Sequence, residues 1–204
     1  LAELAQEKGW PLYQLEPQFN PCNQPRQAIG YSVMGLLGLI ERAALLTFEA
    51  SELTSVKKQL QLMNRENGPQ VASTENKAKQ LAFHLFEKQA VLIGPDFLQG
   101  ALHVASNQLN ENAKTFASYF VVPELNHHLL EALRFPASLS YTQAHLFFHS
   151  TLAEARNQKR MRLSETLFAE QGLETYPFEL GGETKLAQTF ELVALMSYCS
   201  VYQA

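Results

Sequence analysis

The sequence predicts an α/β fold: a three-layer sandwich with a mostly parallel sheet flanked by helices and preceded by helical segments. Three observations predict it. From residue 89 onward short apolar runs alternate with helical patterns, and that alternation implies parallel pairing through right-handed crossovers. The segment before residue 89 reads mainly as helices. The 204 residues are 46% hydrophobic, enough to bury one large core or one and a half smaller ones.

The elements follow in order. Leu1–Lys8 is amphipathic and stops at Gly9, and PLYQL (11–15) reads as a short strand. EPQFNPCNQP (16–25) holds three prolines in ten residues and must be an irregular loop. Pro25 suits the first turn of the next helix, where its missing N–H would have no partner. AIGYSVMGLLGLI (28–40) is apolar over 13 residues. A spanning helix needs about 20, so a buried core helix is expected. Two helices follow between about Ser51 and Lys88, split by ENGPQVAS. In the second, Ala78, Leu81, Ala82, Leu85 and Phe86 keep the spacing of a helix packed on one face.

QAVLIG (89–94) is the next strand, and Pro95–Asp96 starts a helix whose buried stripe is Leu98, Ala101, Leu102, Ala105 and Leu109. TFASYFVV (115–122), HLFFHS (145–150) and LETYPFEL (173–180) complete the strands. A basic helix from about Glu154 to Gln171 ends at Gly172, and a long helix after Gly181–Gly182 closes the chain. No internal repeat appears. The sequence opens at Leu1 inside a helical pattern, so it is expected to start partway through a domain, and no secretory signal pattern opens it.

Composition narrows the function. A net charge of −4 and a pI near 5.9 argue against nucleic acid or an anionic membrane as the main partner. Cys22 and Cys199 stand far apart without a metal or disulfide motif, which fits a reducing, cytoplasmic setting. GPDFLQG lacks the spacing of a dinucleotide site, and no P-loop, G-x-S-x-G or His-Glu-x-x-His occurs. Acid–base chemistry remains.

Glu111 falls in the last turn of its helix, where the macrodipole nudges a carboxyl pKa upward, as a general base near neutral pH would use. On spacing alone, an ordinary solvated glutamate is the preferred reading. His127 and His128 follow a strand end, on the edge where parallel sheets assemble their sites, and an imidazole there can move a proton. Exposed loop histidines read the same way, and two histidines lack the third ligand of a metal site. His84, His103, His145 and His149 read as structural. Arg26, beside Pro25 at a helix start, fits an anion anchor and a surface arginine equally. Gly181–Gly182 is a phosphate nest or, more often, a plain turn. Arg156, Lys159, Arg160 and Arg162 read as a solvated face, with a partner surface the lesser option.

QPRQAIGYS (24–32), QLNENAK (108–114), PELNHH (123–128) and YCSVYQA (198–204) together resemble the bifunctional phosphoglucose/phosphomannose isomerases of archaea and bacteria, which are built from two sugar isomerase (SIS) domains. Their order and the 16-residue separation of Glu111 and His127 carry the resemblance, which spans the whole chain. It implies an SIS-type sandwich: 1–48 the remnant of a first SIS domain, 49–88 a helical connector and 89–204 the second SIS domain. It also implies an enzyme isomerising glucose or mannose 6-phosphate to fructose 6-phosphate through a cis-enediol, without metal or organic cofactor. By the same resemblance, Glu111 shuttles the proton between C1 and C2, His127 opens the ring, and Arg26 contacts the substrate and steadies charge on the intermediate.

Two positions depart from the pattern: His128 stands in place of asparagine, and Ser197 where aspartate is frequent. The family's serine/threonine-rich phosphate loop and its lysine-bearing C-terminal tail lie outside this sequence. The alternative is a non-catalytic SIS module that binds a sugar phosphate or holds a dimer. One expectation is geometric. A helix from Asp96 to Glu111 is about 24 Å long and antiparallel to its strand. Glu111 and His127 should therefore lie at opposite edges of the sheet and meet only across a two-fold homodimer, Glu111 from one subunit and His127 from the other.

Overall fold

The computed structural model describes residues 1–20 and 23–204; Cys22 and part of the expected 16–25 loop lie outside the described residues. The chain divides into two compact units, Leu1–Glu49 and Ala50–Ala204.

In the first unit, α1 (Ala2–Glu7) ends at Gly9, whose φ of 64° and N–H to the Gln6 carbonyl turn the chain. Residues 11–15 correct the sequence reading, because they join no sheet. Tyr13 and Leu15, two residues apart, instead lie against Gly35, where an added Cβ would come within 2.7 Å of the Tyr13 ring. Among the described residues the unit contains no second strand to complete a ladder, so alternation alone does not make one. Pro25 opens a 3-10 turn, Pro25–Gln27, leading into α2 (Ile29–Arg42). The buried core helix is a second correction: no residue of α2 is buried, and Met34, Leu36 and Leu39 are exposed. Apolar composition shows what a helix would gain by being covered, not what covers it. Among the described residues no helix is long and apolar enough to cross a membrane.

The second unit starts with α3 (Ala50–Asn67) and α4 (Lys77–His84), which is capped by the Asn76 side chain accepting from the Lys79 N–H. Ala78, Leu81, Ala82 and Leu85 are buried as expected, but Phe86 is exposed. The helix has stopped at His84, and Glu87 leaves it with φ 57°, so Phe86 is off the helical stripe.

Then come β1 (Gln89–Pro95), a 3-10 turn (Asp96–Leu98), α5 (Gln99–Gln108), a π turn (Leu109–Ala113) and β2 (Ala117–Val122). Two single-turn helices, α6 (Leu125–His128) and α7 (Leu139–Thr142), precede β3 (Gln143–His149). The chain closes with α8 (Ala155–Glu170), β4 (Glu174–Glu179) and α9 (Lys185–Gln203). The strand order is β2-β1-β3-β4, every pair parallel.

Strand periodicity sorts the core into two layers. Ala90, Leu92, Ala144, Leu146 and Phe148 face α3, α4, α5 and α9, and on that side Leu98 and Leu109 of the turns flanking α5 are fully buried with Leu102, Leu192 and Leu195. Val91, Ile93 and Phe147 face the other way, onto Leu125 of α6 and Met161 and Phe168 of α8. Phe147 meets Phe168 edge to face at 5.3 Å. Each such buried ring contributes roughly 1.5–3 kcal/mol. Pro177 sits in β4, an edge strand, where its missing N–H is tolerated.

Candidate active site

The stripe of α5 brings Leu109 into the core with no exposure, and the helix then widens into the π turn that carries Glu111. Lys114 closes the turn in the left-handed region at φ 56°, with the Thr115 N–H donating to the Leu109 carbonyl at 3.2 Å. The two asparagines flanking Glu111 fasten it on either side. Asn110 accepts from the Ala117 N–H at 2.9 Å and donates to the Ala117 carbonyl at 3.2 Å, fixing the turn to the first residue of β2. Asn112 donates to Ser200 Oγ of α9 at 3.1 Å, and Gln108 donates to Ser197 Oγ at 2.8 Å. Glu111 itself is exposed.

His127 lies on α6, beyond the opposite end of β2. The single turn is fixed by buried Leu125 and by Asn126, whose amide donates to Ser164 Oγ of α8 at 2.6 Å. His127 is exposed. His128, also exposed, pairs through Nε2 with the Glu124 carboxylate at 2.9 Å. Glu111 therefore stands beside the N-terminal end of β2 and His127 past its C-terminal end, separated along the strand by about 17 Å. One copy of the chain does not bring them together. Arg26 belongs to the first unit, half-buried in the turn that enters α2.

The Gly181–Gly182 nest is already filled. The Gly181 N–H donates to both oxygens of Glu191 at 3.1 and 3.0 Å, and the Gly182 N–H donates to one of them at 2.8 Å. Glu191 is 2% exposed; burial raises its pKa, against the pull of these amides and of Gln59. The sequence reading overlooked Glu191, although a lone acid among Ala187, Leu192, Leu195 and Met196 on a core-facing helix marks an internal partner.

Two structural histidines terminate in the chain itself. Nδ1–H of His145 donates to the Glu174 carbonyl at 3.0 Å, and burial lowers its pKa. His149 pairs with Glu165 at 2.7 Å. Lys88 and the Tyr176 hydroxyl both hold the Glu174 carboxylate and lower its pKa, while burial pushes Tyr176 up to about 12.

The crevice outside the C-terminal ends of β1, β3 and β4, lined by Pro95, His149, Ser150, Arg162 and Glu179, encloses about 30 Å³. That is room on the order of one water. A cleft of about 790 Å³ lies beside Phe83, Phe86 and Tyr202, and includes neither Glu111 nor His127. Among the described residues, no three His, Cys, Asp or Glu side chains converge to hold a metal ion.

A bifunctional phosphoglucose/phosphomannose isomerase of Caldicellulosiruptor bescii is 28% identical over 185 residues, covering 89% of this chain and 54% of the relative. One of Aquifex aeolicus is 24% identical over 204 residues, covering all of this chain and 58% of the relative. The chain thus spans little more than half the length of the curated relatives it matches.

In fold it is similar to a glucose-6-phosphate isomerase like protein of Thermus thermophilus, with a TM-score of 0.65, 19% identity and coverage of 75% of this chain and 51% of that one. It is also similar to the C-terminal domain of glucosamine-fructose-6-phosphate aminotransferase from Francisella tularensis, with a TM-score of 0.55, 9% identity and coverage of 75% and 44%. The model of the bacterial phospho-glucose isomerase C-terminal SIS domain matches residues 74–204, and the chain belongs to that family.

Proposed function

We propose that this chain is the C-terminal part of a hexose 6-phosphate isomerase interconverting glucose or mannose 6-phosphate with fructose 6-phosphate. Glu111 is the base. Its carboxylate removes the proton from C2 of the open-chain aldose and returns it to C1 of the cis-enediolate, while a cation offsets the negative charge on the oxygens. Arg26 supplies that cation. His127 opens the sugar ring by proton transfer at the ring oxygen. No metal or organic cofactor takes part. Residues 1–48 complete a preceding SIS domain, 49–88 connect, and 89–204 form the second domain of a cytoplasmic enzyme.

The observation that carries this reading is the placement of Glu111 and His127 at opposite ends of β2 in a chain whose curated relatives carry the isomerase name. In this reading two copies pair about a two-fold axis, and each subunit lends a different group to one shared pocket, Glu111 from one and His127 from the other.

A coupled assay of the full-length protein with fructose 6-phosphate tests it. Glu111→Gln should lower kcat by about 10²–10⁴-fold, the usual range for a general base. Normal turnover in that variant removes Glu111 from the chemistry. Sugar-phosphate binding without turnover in the wild type would identify a non-catalytic SIS module instead.

A further inference from the structure

The turn that carries Glu111 is tied down on both sides of that residue. Its two flanking asparagines run to different elements: Asn110 to the main chain of β2, Asn112 to α9. Ser200 passes the contact inward. Its Oγ accepts from Asn112 and donates to the Ser197 carbonyl at 2.9 Å, and Ser200 has no solvent exposure. Ser197 does the same one turn earlier, accepting from Gln108 and donating to the Val193 carbonyl at 2.7 Å. Two serines on one face of α9 thus receive amides from both ends of the turn that carries Glu111.

A π turn is rare and, where it interrupts an α-helix, is frequent at functional sites. This one also closes on a non-glycine residue at positive φ.

We propose that Asn112 and Ser200 form a positioning pair that fixes the direction from which Glu111 reaches its substrate, with Asn110 setting the turn's height on the sheet. The inference rests on the reading of Glu111 as the base. The pair touches no reacting atom. Its effect is on how well the carboxylate tracks from C2 to C1 within one turnover, where a displacement on the order of 1 Å is enough to lose much of the rate.

The test uses full-length protein carrying Asn112→Ala, Ser200→Ala or both, with glucose 6-phosphate deuterated at C2. Two quantities are read: kcat and KM, and the fraction of deuterium that arrives at C1 of the product rather than exchanging with water. We expect kcat to fall about tenfold or more with KM within about twofold. We also expect less deuterium to be carried across, and the double variant to resemble the single ones, as coupled partners do.

The carried fraction is a ratio within turnovers, so a variant that merely folds less completely leaves it unchanged. Wild-type kcat in Asn112→Ala, or a lowered kcat with the carried fraction unchanged, overturns the proposal. Glu111→Gln separates the two readings. If it keeps full turnover, the base assignment fails; if it is inactive while Asn112→Ala is normal, only the positioning pair fails.

Discussion

His145 on β3 donates from Nδ1 to the main-chain carbonyl of Glu174 on β4, 3.0 Å away, with the ring 2% exposed and its edge against Phe168. Burial holds its pKa below the ordinary 6.5, so the folded chain keeps the ring neutral while the unfolded chain protonates it near 6.5. The contribution to stability is complete above the unfolded value and shrinks as pH falls from 6.5 toward the depressed folded value. Denaturant titrations across that window should show wild-type stability declining more steeply than that of His145→Gln. Parallel slopes would mean that another group sets the pH dependence.

Gly182 sits where a Cβ would come within 2.7 Å of the Gln188 nitrogen and 2.9 Å of the Ala187 carbonyl carbon. Both are main-chain atoms of α9 and cannot swing aside. Gly182→Ala should lower unfolding stability by roughly 1–3 kcal/mol. Gly100→Ala, where an added Cβ meets nothing within 4 Å, is the matched control and should be neutral or slightly stabilising. Equal unfolding midpoints for the two variants would contradict the close approach.

Asn67 ties α3 to the start of α4, accepting from the Ala78 N–H at 3.0 Å and donating to the Met63 carbonyl at 3.1 Å. It is 2% exposed, so Asn67→Ala leaves a donor in Ala78 that water does not reach easily. A loss of about 1–3 kcal/mol in chemical denaturation is expected. A loss below about 0.5 kcal/mol, typical of a surface site, would show the contact to be dispensable.

Cys199 is fully buried in the α9 face of the core, and burial pushes its thiol up to about 12. Alkylation at Cys199, followed by peptide mass spectrometry, should be negligible in the native protein. It should appear in step with global unfolding as denaturant is added. Labelling well before the unfolding transition would show that α9 opens locally.

The legible parts of this fold are those set by local period. The stripe Leu98, Ala101, Leu102, Ala105 and Leu109 and the four apolar runs of the second unit announce their elements because each is repeated every turn or every other residue. PLYQL has the same alternation but, among the described residues, no neighbouring strand, and pairing is a property of two segments. The exposure of Met34 and Leu36 was hidden for a related reason, since hydropathy carries no information about a covering surface.

At the site, chain direction was enough to put Glu111 and His127 at opposite ends of β2. The fastening of the turn was not, because Asn112 finds Ser200 from 88 residues away. Nor could the glycine pair reveal its occupant, because Glu191 reaches Gly181 and Gly182 only when α9 folds back over them.

That occupancy alters how this edge of the sheet answers free anions. A carboxylate borne on the same polypeptide meets its amides at a local concentration that dilution and dialysis leave untouched. Inorganic phosphate or a sugar ester arriving there would have to evict a resident that never diffuses away. In this half of the sequence, the glycine pair is a lock whose key was made in place.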